Sequence, residues 1–425
     1  MRRCKPVSRV LLTGLMLMFA STVFGQASFE GLGDLDGGTF DSSAYGLSAD
    51  GSVVVGMSRS GSGYEAFRWQ GGVMVGLGDL AGGAFESCAR GVSANGSVVV
   101  GWSRSAEGPE AFRWEADVMR PLGFLANGSN SEAYDVSADG SVVVGWSDSG
   151  SVEEAFRWEA DVMISLHDSM PAGSLTSRAY AVSADGSVIS GRTVSASGEE
   201  AFRWEGGVGT GLGDLSGTGL PSESLGLSAD GAVVVGYSWT LSFLEAFRCQ
   251  AGVMAGLGLL PGGCYSEALG ASADGSVVVG SADSATGMEA FIWDACHGIR
   301  SLSDVLTDQF GLDLAGWQLT KAHAVSEDGR TIAGAGINPA GAPEGWIARL
   351  PVIVPADFDE DGDVDSNDFD FFANCSTGPA IGPPSPPCEP ADLDHDSDVD
   401  QSDFGIFQRC LSGTGLPVDP GCADQ

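Results

Sequence analysis

One phrase, Ser-Ala-Asp-Gly-Ser-Val-Val-Val-Gly at residues 48–56, recurs along the chain and limits what the chain can fold into. Its Asp or Asn falls at Asp50, Asn95, Asp139, Asp185, Asp230, Asp274 and Asp328, at intervals of 45, 44, 46, 45, 44 and 54. A second phrase, Glu-Ala-Phe-Arg-Trp, follows each one, at 65–69, 110–114, 154–158 and 200–204. It drifts at 245–249, 289–293 and 344–346. Repeats of this period are supersecondary units that bury their apolar faces only by packing on their neighbours.

Each unit reads as four short strands. In the first copy they are 44–48, the Val-rich 52–58, the alternating 65–69, and 73–80, which ends at the Gly82-Gly83 turn. Asp50-Gly51 joins the first two, because Gly takes positive φ without strain. Nothing here has helical spacing. Four strands per ~45 residues predict propeller blades; a solenoid is the rival architecture. The seventh unit stops after its third strand at Leu350, and the missing strand stands at the other end, at 29–35. That arrangement closes a ring and removes two free edges, whereas a solenoid needs caps at both ends. The expected fold is an all-β, seven-bladed propeller over residues 28–350, followed by a linker at 351–356 and a small α-helical module at 357–425. The longer interval before Asp328 places an extended loop at 306–317, either a contact surface or an ornament near the closure point.

The units resemble the HAF-type probable extracellular repeats, in which an Ala-x-x-Val-Ser stretch leads through Asp-Gly to Val-Val-Gly and then Ala-Phe-x-Trp. The resemblance implies an extracellular propeller-like repeat protein and no particular activity. Phe67, Trp69 and their counterparts are expected between blades. Arg68, Arg113, Arg157, Arg203 and Arg248, on the other face of the same strand, are expected to pair with acidic neighbours. No non-repetitive feature marks a ligand site at the ring centre. The histidines, His167, His297, His323 and His395, match no metal spacing, and no nucleophile elbow or phosphate loop stands in its required context. The expectation is a non-catalytic chain.

Arg2, Arg3, Lys5 and Arg9 precede an apolar run at 10–20, with small residues at Gly25 and Ala27. This is the layout of a secretory signal over 1–27, and the run is short of the ~20 residues of a membrane span. With 57 acidic and 20 basic residues the net charge is −37, which excludes nucleic acid as a partner and favours calcium. Without Cys4 eight cysteines remain, an even number in an exported chain, so disulfides are expected. Cys249 replaces the repeat Trp, and a staple to Cys264 is expected there, with Cys296 a competing partner.

After Pro355 the composition changes: residues 356–425 hold 17 acidic groups and one basic residue, Arg409. Two loops of twelve match at an offset of 35. The first places Asp357, Asp359, Asp361, Asp363, Asp365 and Asp368 at positions 1, 3, 5, 7, 9 and 12; the second places Asp392, Asp394, Asp396, Asp398, Asp400 and Asp403 there. Those positions supply the six to eight oxygens that calcium takes. Asp363 and Asp398 are expected to act through their carbonyls, and Asp365 and Asp400 through water. Val364 and Val399 are expected to pair the loops. Phe369 and Phe372, with Phe404 and Phe407, predict two helices packed about a pseudo-twofold. So small a core needs metal or disulfides, and near-equal spacings of 13 and 12 favour Cys375–Cys388 and Cys410–Cys422 over a Cys375–Cys410 link. Ser397 stands where the turn prefers Gly, at ~1 kcal/mol, so the second calcium site is expected to be the weaker.

Asp rather than Glu at position 12, no helix before either loop, and the duplication together resemble a type I dockerin. That resemblance implies calcium-dependent docking onto a cohesin-like partner, often in polysaccharide-degrading assemblies. The positions that choose the cohesin in dockerins are Ser366-Asn367 and Gln401-Ser402 here, which depart from the usual Ser-Thr-like pair. Two functions follow. One is a secreted or cell-surface scaffold with a calcium-dependent tether. The other is an accessory or catalytic component of polysaccharide breakdown, with a glycan as partner.

Overall fold

The computed structural model describes residues 27–422 apart from 151, 197, 353, 360, 379–383, 385, 395, 415, 417 and 419–421. All but the last residue of the expected export signal lies outside these. Among the described residues, no helix is long and apolar enough to cross a membrane.

Seven four-stranded antiparallel sheets form a seven-bladed β-propeller. Blade 1 comprises Gly37–Leu47, Val53–Ser60, Gly63–Gln70 and Val73–Gly76. Its first strand extends further back than the repeat indicated, and its last stops at Gly76, after which Leu77 to Leu80 cross to the next blade. The last blade contains Gln318–Val325, Thr331–Ile337 and Pro343–Arg349, and Ser28–Gly31 completes it as the outer strand, with Gly31 opposite Trp346. The ring is closed as the repeat count implied.

The repeated residues have identifiable tasks. Asp50 Oδ1 accepts hydrogen bonds from the Ser52 amide at 3.0 Å and the Ser48 hydroxyl at 2.8 Å, and Ser48 Oγ accepts one from the Val53 amide at 2.9 Å. The Ser52 amide is the main influence that holds the Asp50 carboxyl below its usual range. Gly51, at φ 68°, completes the turn. The cores lie between blades: Val53, Val55, Ala66 and Leu80 of blade 1 pack with Ala89, Val92, Val99 and Phe112 of blade 2. The repeated Phe residues are fully buried, and Trp69 nearly so.

The strand arginines do more than pair with acids. Arg113 and Arg203 bind Glu115 and Glu205, at 2.7 and 2.6 Å, and Arg157 binds Glu159. Arg68 and Arg248, expected to pair with acids, make no such ion pair among the described residues, because Gln70 and Gln250 stand where blades 2, 3 and 4 have Glu. Arg68 Nε donates to the Gly96 carbonyl at 3.0 Å, and Arg248 Nε to that of Gly275 at 2.9 Å. Each of these carbonyls belongs to the next blade's Asx-Gly turn, so the arginine latches neighbouring blades together.

Near the axis, backbone amides also bond from blade to blade. Ala49 donates to Ala94, Ala94 to Ala138, Ala138 to Ala184 and Ala184 to Ala229; Asp230 donates to Ala273, Ala273 to Glu327, and Glu327 back to Ala49, at 2.9–3.4 Å. The circuit has no gap at the seam between first and last blades.

The loop at 306–317 folds inward instead of projecting. Leu302, Val305, Leu306 and Leu314 are buried against Trp346 and Ile332. A short α-turn at Leu302–Asp304 runs directly into a π-turn at Val305–Gln309. The expected Cys249 staple is absent. Cys249 is buried beside Val234 and Phe247, while Cys264 lies on an exposed turn that hydrogen-bonds Asp283, so the two thiols face different environments. Cys88, Cys264 and Cys296 are likewise free.

The C-terminal part is small and helical. Helices Ser366–Cys375 and Gln401–Cys410 pack Phe372 on Phe407 at 5.5 Å and Phe369 near Phe404 at 6.1 Å. Disulfides join Cys375 to Cys388 and Cys410 to Cys422, which fits an oxidising compartment.

Candidate metal centre and axial channel

Each acidic loop is shaped by its own backbone amides. Asp357 accepts hydrogen bonds from the amides of Asp361 and Gly362 at 3.1 and 2.9 Å, and Asp392 from those of Asp396 and Ser397 at 3.1 and 3.0 Å. Gly362 has φ 93° and Ser397 φ 80°, so the serine adopts the strained conformation expected of it. The last Asp of each loop closes it. Asp368 Oδ1 takes the Phe358 amide at 2.6 Å and Oδ2 the Asp365 amide at 2.8 Å; Asp403 does the same with Leu393 and Asp400, at 2.7 and 2.8 Å. Asp365 and Asp400 in turn cap the helices.

Carboxylate oxygens converge as a result. Asp357, Asp359 and Asp368 bring theirs within 4.8 Å of one another, as do Asp363, Asp365 and Asp368. The second loop repeats both groupings, with Asp392, Asp394 and Asp403, and with Asp398, Asp400 and Asp403. Five of the six expected residues in each loop are therefore brought together. Asp363 and Asp398 contribute side chains to these groupings, where the spacing had suggested carbonyls alone. Asp361 and Asp396 stand outside them, each accepting the amide two residues on, at 3.2 and 3.1 Å.

Val364 and Val399 do not pair with each other. The Val364 carbonyl accepts the Ser412 and Gly413 amides, beyond the second helix, and its amide donates to the Ser412 hydroxyl; Val399 does the same with the Thr377 and Gly378 amides and the Thr377 hydroxyl, beyond the first. Each loop is stitched to the opposite helix's exit, which uses the valine amides and carbonyls that direct pairing would need.

The electrostatics favour a cation. Burial pushes the Asp357 carboxyl up to about 7, and the Asp368 and Asp361 charges add to it against the Gly362 amide. Burial, then the same two charges, takes Asp359 to about 6. Carboxylates this close repel one another, and a positive ion between them removes the repulsion. The donors are all carboxylate oxygens, the set that hard divalent cations take. These clusters could hold a metal ion. The first loop is the more enclosed at its first position: Asp357 is 3% exposed, while its counterpart Asp392 is half-buried.

A second concavity lies on the propeller axis and encloses about 410 Å³. Each first strand contributes the extra residue of its bulge, and this position is not constant among the blades. Tyr45, Arg90, Tyr134, Tyr180 and His323 make one side; Leu225 and Leu269 make the other. The repeat had seemed to leave the centre unmarked because the variable position sits inside a constant phrase. Reading down the column between Ala and Gly-Val-Ser would have found it.

Asp135 is the one acid among the Gly and Ala residues that follow these positions. Its oxygens take the Val136 and Val182 amides at 2.8 and 2.9 Å, yet burial pushes its carboxyl up to about 7. With the folded value above the ordinary 3.8, protonation at Asp135 stabilises the fold fully at low pH. That contribution is lost as pH rises through about 7. Asp135→Ala, the residue of blades 4 and 7, is expected to reduce the fall in stability between pH 5 and pH 8. Urea midpoints at the two pH values check this, and identical slopes in both proteins would refute it.

No family model and no curated protein matches the chain. Among solved structures it is similar to TolB from Acinetobacter baumannii, at 16% identity over 49% of this chain and 51% of that one, with a TM-score of 0.37. The chain thus spans about half the length of that TolB. It is also similar to an oligogalacturonate lyase from Vibrio parahaemolyticus, at 11% identity over 77% of this chain and 99% of that one, TM-score 0.49. A third is an acylaminoacyl peptidase from Pyrococcus horikoshii, at 10% identity over 69% and 48%, TM-score 0.41. At such identities none of them bears on what this chain binds or does.

Proposed function

We propose that this is an extracellular, non-catalytic binding protein in which the C-terminal part is a two-site calcium module of dockerin-like type. The propeller, built from HAF-type repeats, is the interaction surface that the module tethers to a cell-surface or extracellular partner. One observation carries the reading: in two loops offset by 35 residues the same two triads of carboxylates form around a shared last Asp, and in the first loop burial, then neighbouring carboxylate charges, raises Asp357 and Asp359. Calcium accepts this irregular, oxygen-rich arrangement, whereas magnesium demands a stricter octahedron and keeps its waters.

Calorimetric titration of the full chain with calcium is expected to show two events, the weaker lost in Asp403→Ala and the stronger in Asp368→Ala. Calcium at ~100 times Kd would add about 2.7 kcal/mol to the stability of the part that binds it. Absence of heat together with an unchanged melting temperature would overturn the calcium reading. Partner capture with and without a chelator tests the tether separately.

A further inference from the structure

The axial cavity holds a cation that the protein leaves without an anion. In this chain of net charge −37, two other partly buried arginines find carboxylates. Arg178 takes Glu153 at 2.7 Å, and Arg192 binds Glu199. Among the described residues, Arg90, half-buried in the cavity wall, makes no salt bridge, and its Nε is shielded from solvent with no acceptor. Its guanidinium lies over Tyr45 at 4.7 Å and Tyr134 at 5.9 Å. Glu132 is the nearest acidic influence on it besides the tyrosines and Cys88, but that carboxylate accepts the Tyr134 hydroxyl at 3.1 Å. A buried donor without an acceptor is destabilising, and no repeat requirement explains it, since the other six blades lack arginine at this position.

His323 stands on the other side of Tyr45, ring to ring at 5.1 Å. Its Nδ1 is also shielded and unpartnered. Burial, then the Lys321 charge, holds the imidazole neutral, with a pKa lowered to about 3. A neutral imidazole keeps one donor and one acceptor nitrogen; the donor is taken by the Ala44 backbone, which leaves Nδ1 as an acceptor for a hydroxyl. Arg90, Tyr45 and His323 therefore line one side of the cavity with a guanidinium that has no carboxylate partner among the described residues, an aromatic face and a second polar ring, and Leu225 and Leu269 supply an apolar wall opposite. Asp135 and Glu327 also line the cavity, but the Asp135 oxygens are taken by the Val136 and Val182 amides.

We propose that the axial cavity binds a small hydroxylated carboxylate, whose carboxylate is held by Arg90 and one of whose hydroxyls is held by His323. A guanidinium matches a carboxylate with two parallel hydrogen bonds, and 410 Å³ falls within the range of small-molecule sites. The proposal does not depend on the acidic loops, so its test is run in the presence of a chelator.

The probes are D-glucuronate, its methyl ester and D-glucose, titrated into the full chain by calorimetry. Saturable one-site binding of glucuronate is expected, with the ester and glucose at least tenfold weaker. Arg90→Gln is expected to weaken glucuronate at least tenfold and Arg90→Lys by less, because the charge stays and the fork is lost. His323→Phe is expected to weaken glucuronate and glucose alike. Urea midpoints establish that the variants fold; should Arg90→Gln fail to fold, the acid-against-ester comparison on the unaltered chain decides. Equal affinity for acid and ester, unchanged affinity in a folded Arg90→Gln, or no saturation by glucuronate in the millimolar range each overturns the proposal.

Discussion

A chain that begins at Gly33 is expected to lose on the order of 5 kcal/mol of stability, enough to unfold or aggregate the propeller near room temperature. Removing residues 28–32 deletes the outer strand of the last blade, whose four residues pair with Trp346, Ile347, Ala348 and Arg349. It also deletes Leu32, 5% exposed in the core shared by blades 7 and 1, and Phe29, which packs on Trp317 at 5.2 Å. Burying one leucine is worth roughly 2–3 kcal/mol, and the strand left behind becomes an open edge that invites association. Denaturant unfolding followed by tryptophan fluorescence would report the loss directly. A truncated chain with the original midpoint would mean that the N-terminal strand does not close the ring.

The second large effect concerns a residue that adds nothing to the core. Gly145→Ala is expected to lower stability by about 3 kcal/mol, as overpacking does. A Cβ there would stand 1.9 Å from the Glu132 carbonyl oxygen and 2.9 Å from the Ala133 Cα. The approach is close because the facing strand carries a bulge between Ala133 and Asp135, so the obstacle is backbone and cannot swing aside. Gly101, Gly191, Gly236, Gly280 and Gly334 meet the equivalent oxygen at 2.0 Å. Gly236→Ala should therefore match Gly145→Ala within error in urea midpoint, and a neutral result at both positions would show that the strands can part freely.

These two predictions also mark what could be read from the residues alone. Strand count, blade number and the borrowed outer strand follow from spacing and hairpin chemistry, both local. The Gly that ends this strand phrase stands in all seven units, five times as Val-Val-Val-Gly, but its reason lies in a bulge on the facing strand, which no local pattern announces. The arginine latches to Gly96 and Gly275 were hidden similarly, because the acceptor is a carbonyl about 27 residues on. In the acidic loops, residue type and register pointed to Asp357, Asp359 and Asp368 and their counterparts, but not to Asp361 and Asp396 standing apart or to the side chains of Asp363 and Asp398 joining the groups. They did not foretell that Val364 bonds Ser412, since that depends on how two helices are laid across each other. The Cys249 expectation failed because even cysteine counts say nothing about distance. The axial residues were overlooked for the opposite reason: constancy around them drew attention from the one column that varies.

The route by which the chain leaves the propeller has a mechanical meaning. Residues beyond Leu350 continue from Pro343–Arg349, a strand flanked on both sides, by Ser28–Gly31 and by Thr331–Ile337. A pull on the C-terminal part runs lengthwise along that strand and loads two rows of hydrogen bonds in shear together, instead of peeling a free border one bond at a time. Tension is thus delivered to the one blade where both ends of the ring are interleaved, and it draws on the whole circle's resistance.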